Sequence, residues 1–421
     1  MVAGMMRTLI QQALQENPVV VTGMGAFCAA GRTAAKLWQS AVAGRSPARW
    51  LDLPAGSQPP RIAACVAPAV DLAAPQFRHV RKMDRCVQLA HAAAAEAWQQ
   101  AGLDTGRVSP ARIGVIAGTS RGPIGKWAES ARSLAQRRVR PSDAANSTIA
   151  CLSGALSQTF HAHGPSFTVS AACASGAFAI ALAAQQIATG AADVVLAGGA
   201  EAPLQPLVVA QLAAAGVLGH HDDPARTCRP FDRTRNGLLL GEGAAFLVLE
   251  SAASARQHGA PILARLSGWA MGSDDGGRVG VMENGDGLLQ VAGQALSLAG
   301  LEPAEVDHFN GHGTGTMIND RAEARAMALL LGGAVGRIPY SSTKPVTGHC
   351  VGATPALEAV ICLGALRHQV VPPTIHCDEP DPACRLDLVR EVSRPARLRH
   401  VVSHSLGFWS HHAALVFSAP A

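Results

Sequence analysis

Three short stretches of this chain hold residues able to do covalent chemistry. Cys173 lies in the run Ser166-Phe167-Thr168-Val169-Ser170-Ala171-Ala172-Cys173-Ala174-Ser175-Gly176. A thiol is a nucleophile in its thiolate form. His312 lies in Asn310-Gly311-His312-Gly313-Thr314-Gly315-Thr316, followed by Asn319-Asp320. His349 lies in Ser341-Ser342-Thr343-Lys344-Pro345-Val346-Thr347-Gly348-His349, with Gly352 after it. Neutral imidazoles donate or accept one hydrogen bond each, and flanking glycines let backbone and substrate approach closely. Each stretch has a plain alternative: a buried structural cysteine, or loop histidines making ordinary hydrogen bonds. Zinc binding is disfavoured, since no Cys/His pairs have finger-like spacing, and no metal site is expected.

The elements around them suit such chemistry. Phe167, Val169 and their small neighbours read as a short buried strand, and Ala174 to Ile187 as a largely buried helix. Cys173 is thus placed at a helix N-terminus, where free N–H groups and the helix dipole favour thiolate and can bind an oxyanion. Further strands are expected at Val19–Thr22, Ile113–Ala117, Val194–Ala197, Ala245–Leu249, Val306–Phe309, Val401–Ser405 and Ala414–Phe417. Helices are expected at Arg85 to Ala101, near Arg321–Leu331 and at Leu357–Arg367. The class is α/β. No Pro/Gly/Ser-rich linker separates the two halves, and the junction near Ser251–Pro261 is short.

Together the three motifs resemble the β-ketoacyl-[acyl-carrier-protein] synthases, condensing enzymes of the thiolase superfamily. The resemblance runs from Val19 to Phe417 and includes Val19-Val20-Val21-Thr22-Gly23-Met24-Gly25, Arg229-Pro230-Phe231-Asp232 with Gly241-Glu242-Gly243, and Leu406-Gly407-Phe408. It implies a thiolase-like fold, two similar α/β halves packed as a layered αβαβα structure. The halves would be residues 18–255, with the nucleophile, and 256–421, with both histidines, preceded by an extension over residues 1–17 outside the fold. It also implies a decarboxylative Claisen condensation of an enzyme-bound acyl thioester with malonyl-acyl carrier protein.

Residue by residue, the resemblance makes Cys173 the acyl carrier and His312 and His349 the donors to the malonyl thioester carbonyl. Lys344 would organise the histidine loop electrostatically, with Glu358 buried near it. The backbone N–H groups of Cys173 and Phe408 would form the oxyanion hole, Phe408 also acting as a gate. Thr314 and Thr316 would hydrogen-bond the phosphopantetheine arm, and Asp320 and Glu323 would sit behind the site. No bound cofactor is implied, because the substrates ride on the phosphopantetheine of acyl carrier protein. A dimer is implied, either a homodimer or a heterodimer with a related subunit.

Departures concern the acyl pocket. Arg121, in Gly118-Thr119-Ser120-Arg121-Gly122, stands where elongating enzymes carry an apolar residue, and Trp409 follows Phe408 in place of glycine. Asp275-Gly276-Gly277, Ala150-Cys151 and Gly154-Ala155 also differ. An intact catalytic set with an altered pocket points to a specialised polyketide or modified fatty-acid pathway, such as polyene or polyyne assembly. Housekeeping fatty-acid elongation is the alternative. A chain-length partner would typically lack the active cysteine, and a thiolase would use a second cysteine as base.

Composition agrees with this reading but decides little. Charged residues are 15% and aromatics 4%, with a net charge of +5. The basic groups Arg78, Arg81, Lys82, Arg85 and Arg132, Arg137, Arg138, Arg140 lack any nucleic-acid recognition motif. They suit solvated faces or steering of an acidic carrier protein. No apolar run has membrane-spanning length and flanks. Ten cysteines without regular spacing or a signal peptide suggest reduced thiols in the cytoplasm.

Overall fold

The computed structural model describes residues 2–73, 77–103, 107–278, 280 and 282–420. In chain order the strands of its large sheet are β1 (Val19–Cys28), β2 (Ile113–Gly118), β3 (Ser166–Val169), β4 (Val194–Glu201), β5 (Gly243–Ser251), β6 (Ala264–Ser273), β7 (His308–Asn310), β8 (Pro339–Ser341), β9 (Asp387–Leu388), β10 (His400–Gly407) and β11 (His411–Ser418). Their spatial order is β9-β8-β7-β10-β11-β6-β1-β5-β4-β2-β3. One pairing pattern occurs twice. β1-β5-β4-β2-β3 runs through two antiparallel and then two parallel contacts, and β6-β11-β10-β7-β8 does the same. The two sets touch where Val20 and Val21 of β1 pair with Arg265 and Ala264 of β6. The duplication is therefore explicit in the topology although the sequence shows no repeat.

Helices complete five layers. α1 is Val2–Glu16, α2 Arg85–Ala101, α3 Ser175–Ala188, α4 Asp286–Ala299, α5 Met317–Leu331 and α6 Thr354–His368. α2 covers β1, β5 and β4 on one outside, and α4 covers β6, β11 and β10 on the other. α3 and α6 lie between the two strand sets and contact both. Their all-round apolar, alanine-rich faces explain that position: a helix with no polar stripe must be buried on every side. Ala177, Ile180, Ala184, Leu357, Ile361 and Ala365 belong to one continuous core with β1 and β5. α1, expected outside the fold, is not detached at its C-terminal end. Ile10 and Leu14 pack on this core, and Gln11 Nε2 donates to Ser297 O at 2.7 Å.

β3 departs from its expected burial. It is an edge strand, and Phe167 is 37% exposed rather than interior. Of the first basic group, Arg85 is not a free cation, because it is paired with Glu242 at 2.7 Å. No helix among the described residues is long and apolar enough to cross a membrane.

Candidate active site

The repeated topology brings equivalent loops to one place. Cys173 follows β3 and precedes α3, and His349 follows β8 and precedes α6, so the two occupy corresponding positions in the two halves. His312 follows β7, as Arg121 follows β2, and Phe408 follows β10. Cys173, His312, His349, Phe408, Thr314, Thr316 and Arg121 line one cavity of about 400 Å³. Most of its remaining wall is apolar, from Val208, Leu212, Leu238, Leu240 and Val351.

At the thiol the backbone is sharply bent. Ala172 has φ +48°, a conformation few non-glycine residues adopt. The Phe408 strand end approaches so closely that a Cβ on Gly407 would lie 2.9 Å from Ala171 O and 3.0 Å from Cys173 N. Glycine is therefore required there, and the contact brings the Phe408 and Cys173 amides together. The helix terminus favours thiolate, but burial opposes it. Burial pushes the Cys173 thiol up to about 12, with the Glu201 charge adding to it. Lys344, the Phe408 N–H and Arg121 pull the other way without winning.

The histidine rings stand edge to face with centroids 5.5 Å apart. Burial holds both well below the usual imidazole range, and the Lys344 charge acts in the same direction. Both are therefore neutral at pH 7. His349 Nδ1 meets Thr354 Oγ1 at 3.1 Å. Gly348, at φ +70°, turns the chain so that His349 N can donate to Leu239 O at 2.6 Å. Lys344 is wholly buried and donates to Glu358 Oε1 at 2.6 Å and to the His312 carbonyl. Burial pushes Glu358 up to about 7, and Lys344 opposes this. Thr314 and Thr316 share a hydrogen bond of 2.9 Å.

Acidic groups behind the site hold its loops. Asp320 accepts from the amides of Thr314 at 3.1 Å and Phe231 at 2.9 Å, and Arg235 lies 3.5 Å from it. Burial and the Glu323 charge push Asp320 up to about 6. Burial acts upward on Glu323 as well, but His404, Tyr340 and the Gly313 N–H outweigh it and hold this carboxyl low.

The two pocket expectations part company. Arg121 does line the cavity, half-buried, and donates from Nη1 to Gln211 Oε1 at 2.8 Å. Trp409 does not. It is 61% exposed, takes φ +60°, and lies under the Arg278 guanidinium at 5.8 Å. The left-handed turn that brings the Phe408 amide to Cys173 sends the next side chain outward.

Sequence reasoning missed Glu201, Tyr340 and His404. Glu201 ends β4 and accepts from Ser120 N at 2.6 Å, Arg121 N at 3.0 Å, Thr119 Oγ1 at 3.2 Å and Gly352 N at 3.2 Å. One carboxyl thus joins the Arg121 loop to the segment after His349. A lone acidic residue closing the apolar run Val194–Ala200 was the available signal.

The profile of the Beta-ketoacyl synthase N-terminal domain matches residues 16–255, and that of the C-terminal domain matches residues 263–378. The 3-oxoacyl-[acyl-carrier-protein] synthase 2 of Coxiella burnetii is 34% identical over 414 residues, covering 96% of this chain and 99% of that protein. The tetracenomycin polyketide synthase ketoacyl synthase alpha subunit of Streptomyces glaucescens is 35% identical over 425 residues, covering 96% and 98%. Among solved structures, the ishigamide ketosynthase/chain length factor superposes with a TM-score of 0.87 at 31% identity, covering 96% of this chain and 100% of that one. The chain belongs to the beta-ketoacyl synthase family, and its fold is the layered thiolase-like one.

Proposed function

We propose that this chain is a decarboxylating ketosynthase that joins an acyl group held on Cys173 to a malonyl unit delivered on the phosphopantetheine of acyl carrier protein. The observation that carries this reading is the meeting of Cys173, His312 and His349 in one cavity, with both imidazoles neutral. Cys173 Sγ attacks the acyl thioester carbonyl. The Cys173 and Phe408 N–H groups take the oxyanion, and the thiol proton ends on the departing pantetheine sulfur. The malonyl thioester then loses carbon dioxide, its carbonyl oxygen becoming an enolate oxygen that accepts N–H donors from His312 and His349. A Thr354 hydroxyl donating to His349 Nδ1 leaves the hydrogen on Nε2 for this purpose. The enolate carbon attacks the Cys173 thioester, the β-ketoacyl product forms on the carrier, and the Cys173 sulfur leaves and takes a proton. Lys344 with Glu358 holds the His312 loop, and the Thr314 and Thr316 hydroxyls bind the pantetheine arm.

Arg121 in a mostly apolar wall supports a specialised polyketide or modified fatty-acid substrate over ordinary saturated elongation. The outer edge of strand β3, to which no strand pairs among the described residues, with Phe167 exposed, supports a dimer formed by strand pairing with a second copy or a related subunit. Ten free cysteines support a reducing, cytoplasmic location. The test of the central reading is mass spectrometry of the protein after incubation with acyl-carrier thioesters. One acyl adduct on Cys173 is expected, absent in Cys173→Ala. An adduct that persists on another cysteine in that variant would overturn the assignment.

A further inference from the structure

Tyr340 is the chain's single tyrosine. It is buried on β8 between Phe309, at 6.3 Å, and Phe231, at 5.7 Å. Its hydroxyl donates to Glu323 Oε1 and lies 2.8 Å from His404 Nε2. His404 Nε2 is also 3.2 Å from Glu323 Oε1. The tyrosine hydrogen is given to the carboxylate, so the histidine must supply the hydrogen toward both oxygens, from Nε2. His404 Nδ1 has no partner among the described residues. All three side chains are fully enclosed, where polar groups are costly unless their bonds are made.

This cluster lies directly under the His312 loop. A Cβ on Gly311 would fall 2.4 Å from the Tyr340 hydroxyl oxygen and 2.5 Å from Glu323 Oε1, so the loop rests on the cluster itself. On the other side of His312, Gly313 N donates to Glu323 Oε2 at 2.7 Å, an oxygen shared with Asn319 Nδ2 at 3.1 Å. His404 sits on β10, the strand that ends at Gly407 and leads to Phe408. The cluster therefore touches both glycines flanking one imidazole and also the strand that delivers the oxyanion amide.

We propose that Tyr340, His404 and Glu323 form a positioning unit that locks the His312 loop to the strand leading to Phe408. Tyr340 and His404 touch no reacting atom; they act through Glu323 and the Gly311–Gly313 backbone. The proposal rests on the reading of His312 as a donor in decarboxylation. A misplacement of about 1 Å in such a donor can cost about a hundredfold in rate. β10 is held by its own pairing with β7 and β11, so loss of the cluster frees the His312 loop and leaves the Phe408 amide in place. Transfer to Cys173, which does not use the His312 side chain, is thereby separated from decarboxylation.

The test uses the full chain and two assays: acylation of Cys173 by an acyl-pantetheine thioester, and carbon dioxide release from malonyl-pantetheine. Tyr340→Phe, which keeps the ring, should leave acylation within about twofold. It should lower kcat for carbon dioxide release about tenfold or more with KM unchanged. His404→Asn, whose amide keeps an N–H, should retain more decarboxylation than His404→Leu. Parallel losses in both assays, or no loss in Tyr340→Phe and His404→Leu, would overturn the proposal. A second measurement does not depend on turnover. With 3-fluorotyrosine in place of the one tyrosine, the single 19F resonance should shift when His312 is replaced by Ala. An unmoved resonance would overturn the coupling. Absence of carbon dioxide release from the unsubstituted protein would instead overturn the catalytic reading of His312, leaving the resonance to decide the positioning.

Discussion

Replacing Lys344 with Met separates what the buried lysine does for stability from what it does for the histidines. Lys344 and Glu358 both have fully enclosed side chains and are 2.6 Å apart. Methionine can follow the lysine stem, but it leaves Glu358 Oε1 and the His312 carbonyl without their donor. Removing one partner of a buried pair costs about 3–5 kcal/mol, whereas replacing both by apolar groups of similar size is often nearly neutral. Lys344→Met should therefore lose about that much in chemical denaturation at pH 8, and Lys344→Met with Glu358→Leu should regain most of it. The pH dependence has a definite sign. Burial already raises Glu358 from 4.5 to about 7 against the opposing lysine, and without Lys344 it rises further. A carboxyl raised on folding contributes stability that is complete below its unfolded value and is lost as pH climbs through the folded one. The single variant's deficit should thus be smaller at pH 5 than at pH 8. Carbon dioxide release from malonyl-pantetheine should fall about a hundredfold or more in both variants, because neither holds the His312 loop. A double variant no more stable than the single one, or a deficit larger at pH 5, would refute the electrostatic account of this pair.

Three further outcomes follow from the same geometry. His312→Ala and His349→Ala should each slow carbon dioxide release about a hundredfold or more while Cys173 acylation survives, measured as separate half-reactions; unchanged release in both would remove them from the enolate site. With its thiol pushed up to about 12, Cys173 should be alkylated by iodoacetamide at a rate that rises about tenfold per pH unit from pH 7 to 9 without levelling. A plateau below pH 8, followed by peptide mass spectrometry at Cys173, would show that a resting thiolate is present after all. Arg121→Leu should raise loading of long saturated chains relative to conjugated ones in carrier-bound competition, and equal use of both by the unsubstituted protein would return the reading to ordinary elongation.

The residues that meet in the cavity were legible because the chemistry they suggest is local. A nucleophile after a strand and two glycine-flanked histidines can be read as short strings, and the helices behind them are long apolar segments. Arg85–Ala101 forms as expected. Two strands were found but shortened: Val194–Ala197 extends to Glu201 and Val401–Ser405 to Gly407, whereas the strand expected over Val306–Phe309 runs His308–Asn310. In both cases the added residues are the ones that reach the site. Side-chain period says where a strand is apolar, not where its backbone stops pairing. The balance of effects at Cys173 was not legible for a related reason. A helix terminus is visible in sequence, whereas the burial that opposes it is a tertiary property.

The pocket was least legible because adjacent residues there have opposite fates. Phe408 and Trp409 are neighbours in sequence, yet the first lines the cavity and the second stands in solvent against Arg278. What separates them is the positive φ at Trp409 and the close approach at Gly407, both set by the partner loop at Cys173. Tyr340 and His404 show the converse. Sixty-four positions apart, they meet at 2.8 Å because β8 and β10 both pair with β7, and each reads alone as an unremarked core residue. The duplicated fold places chemistry on the loops after equivalent strands, and it can do so with short motifs. Holding those loops to one another falls to single residues scattered along the chain: Glu201 for the Arg121 and His349 segments, and Glu323 with Tyr340 and His404 for His312 and Phe408. The features that tune such a site are therefore carried by pairs of residues that no window of sequence contains.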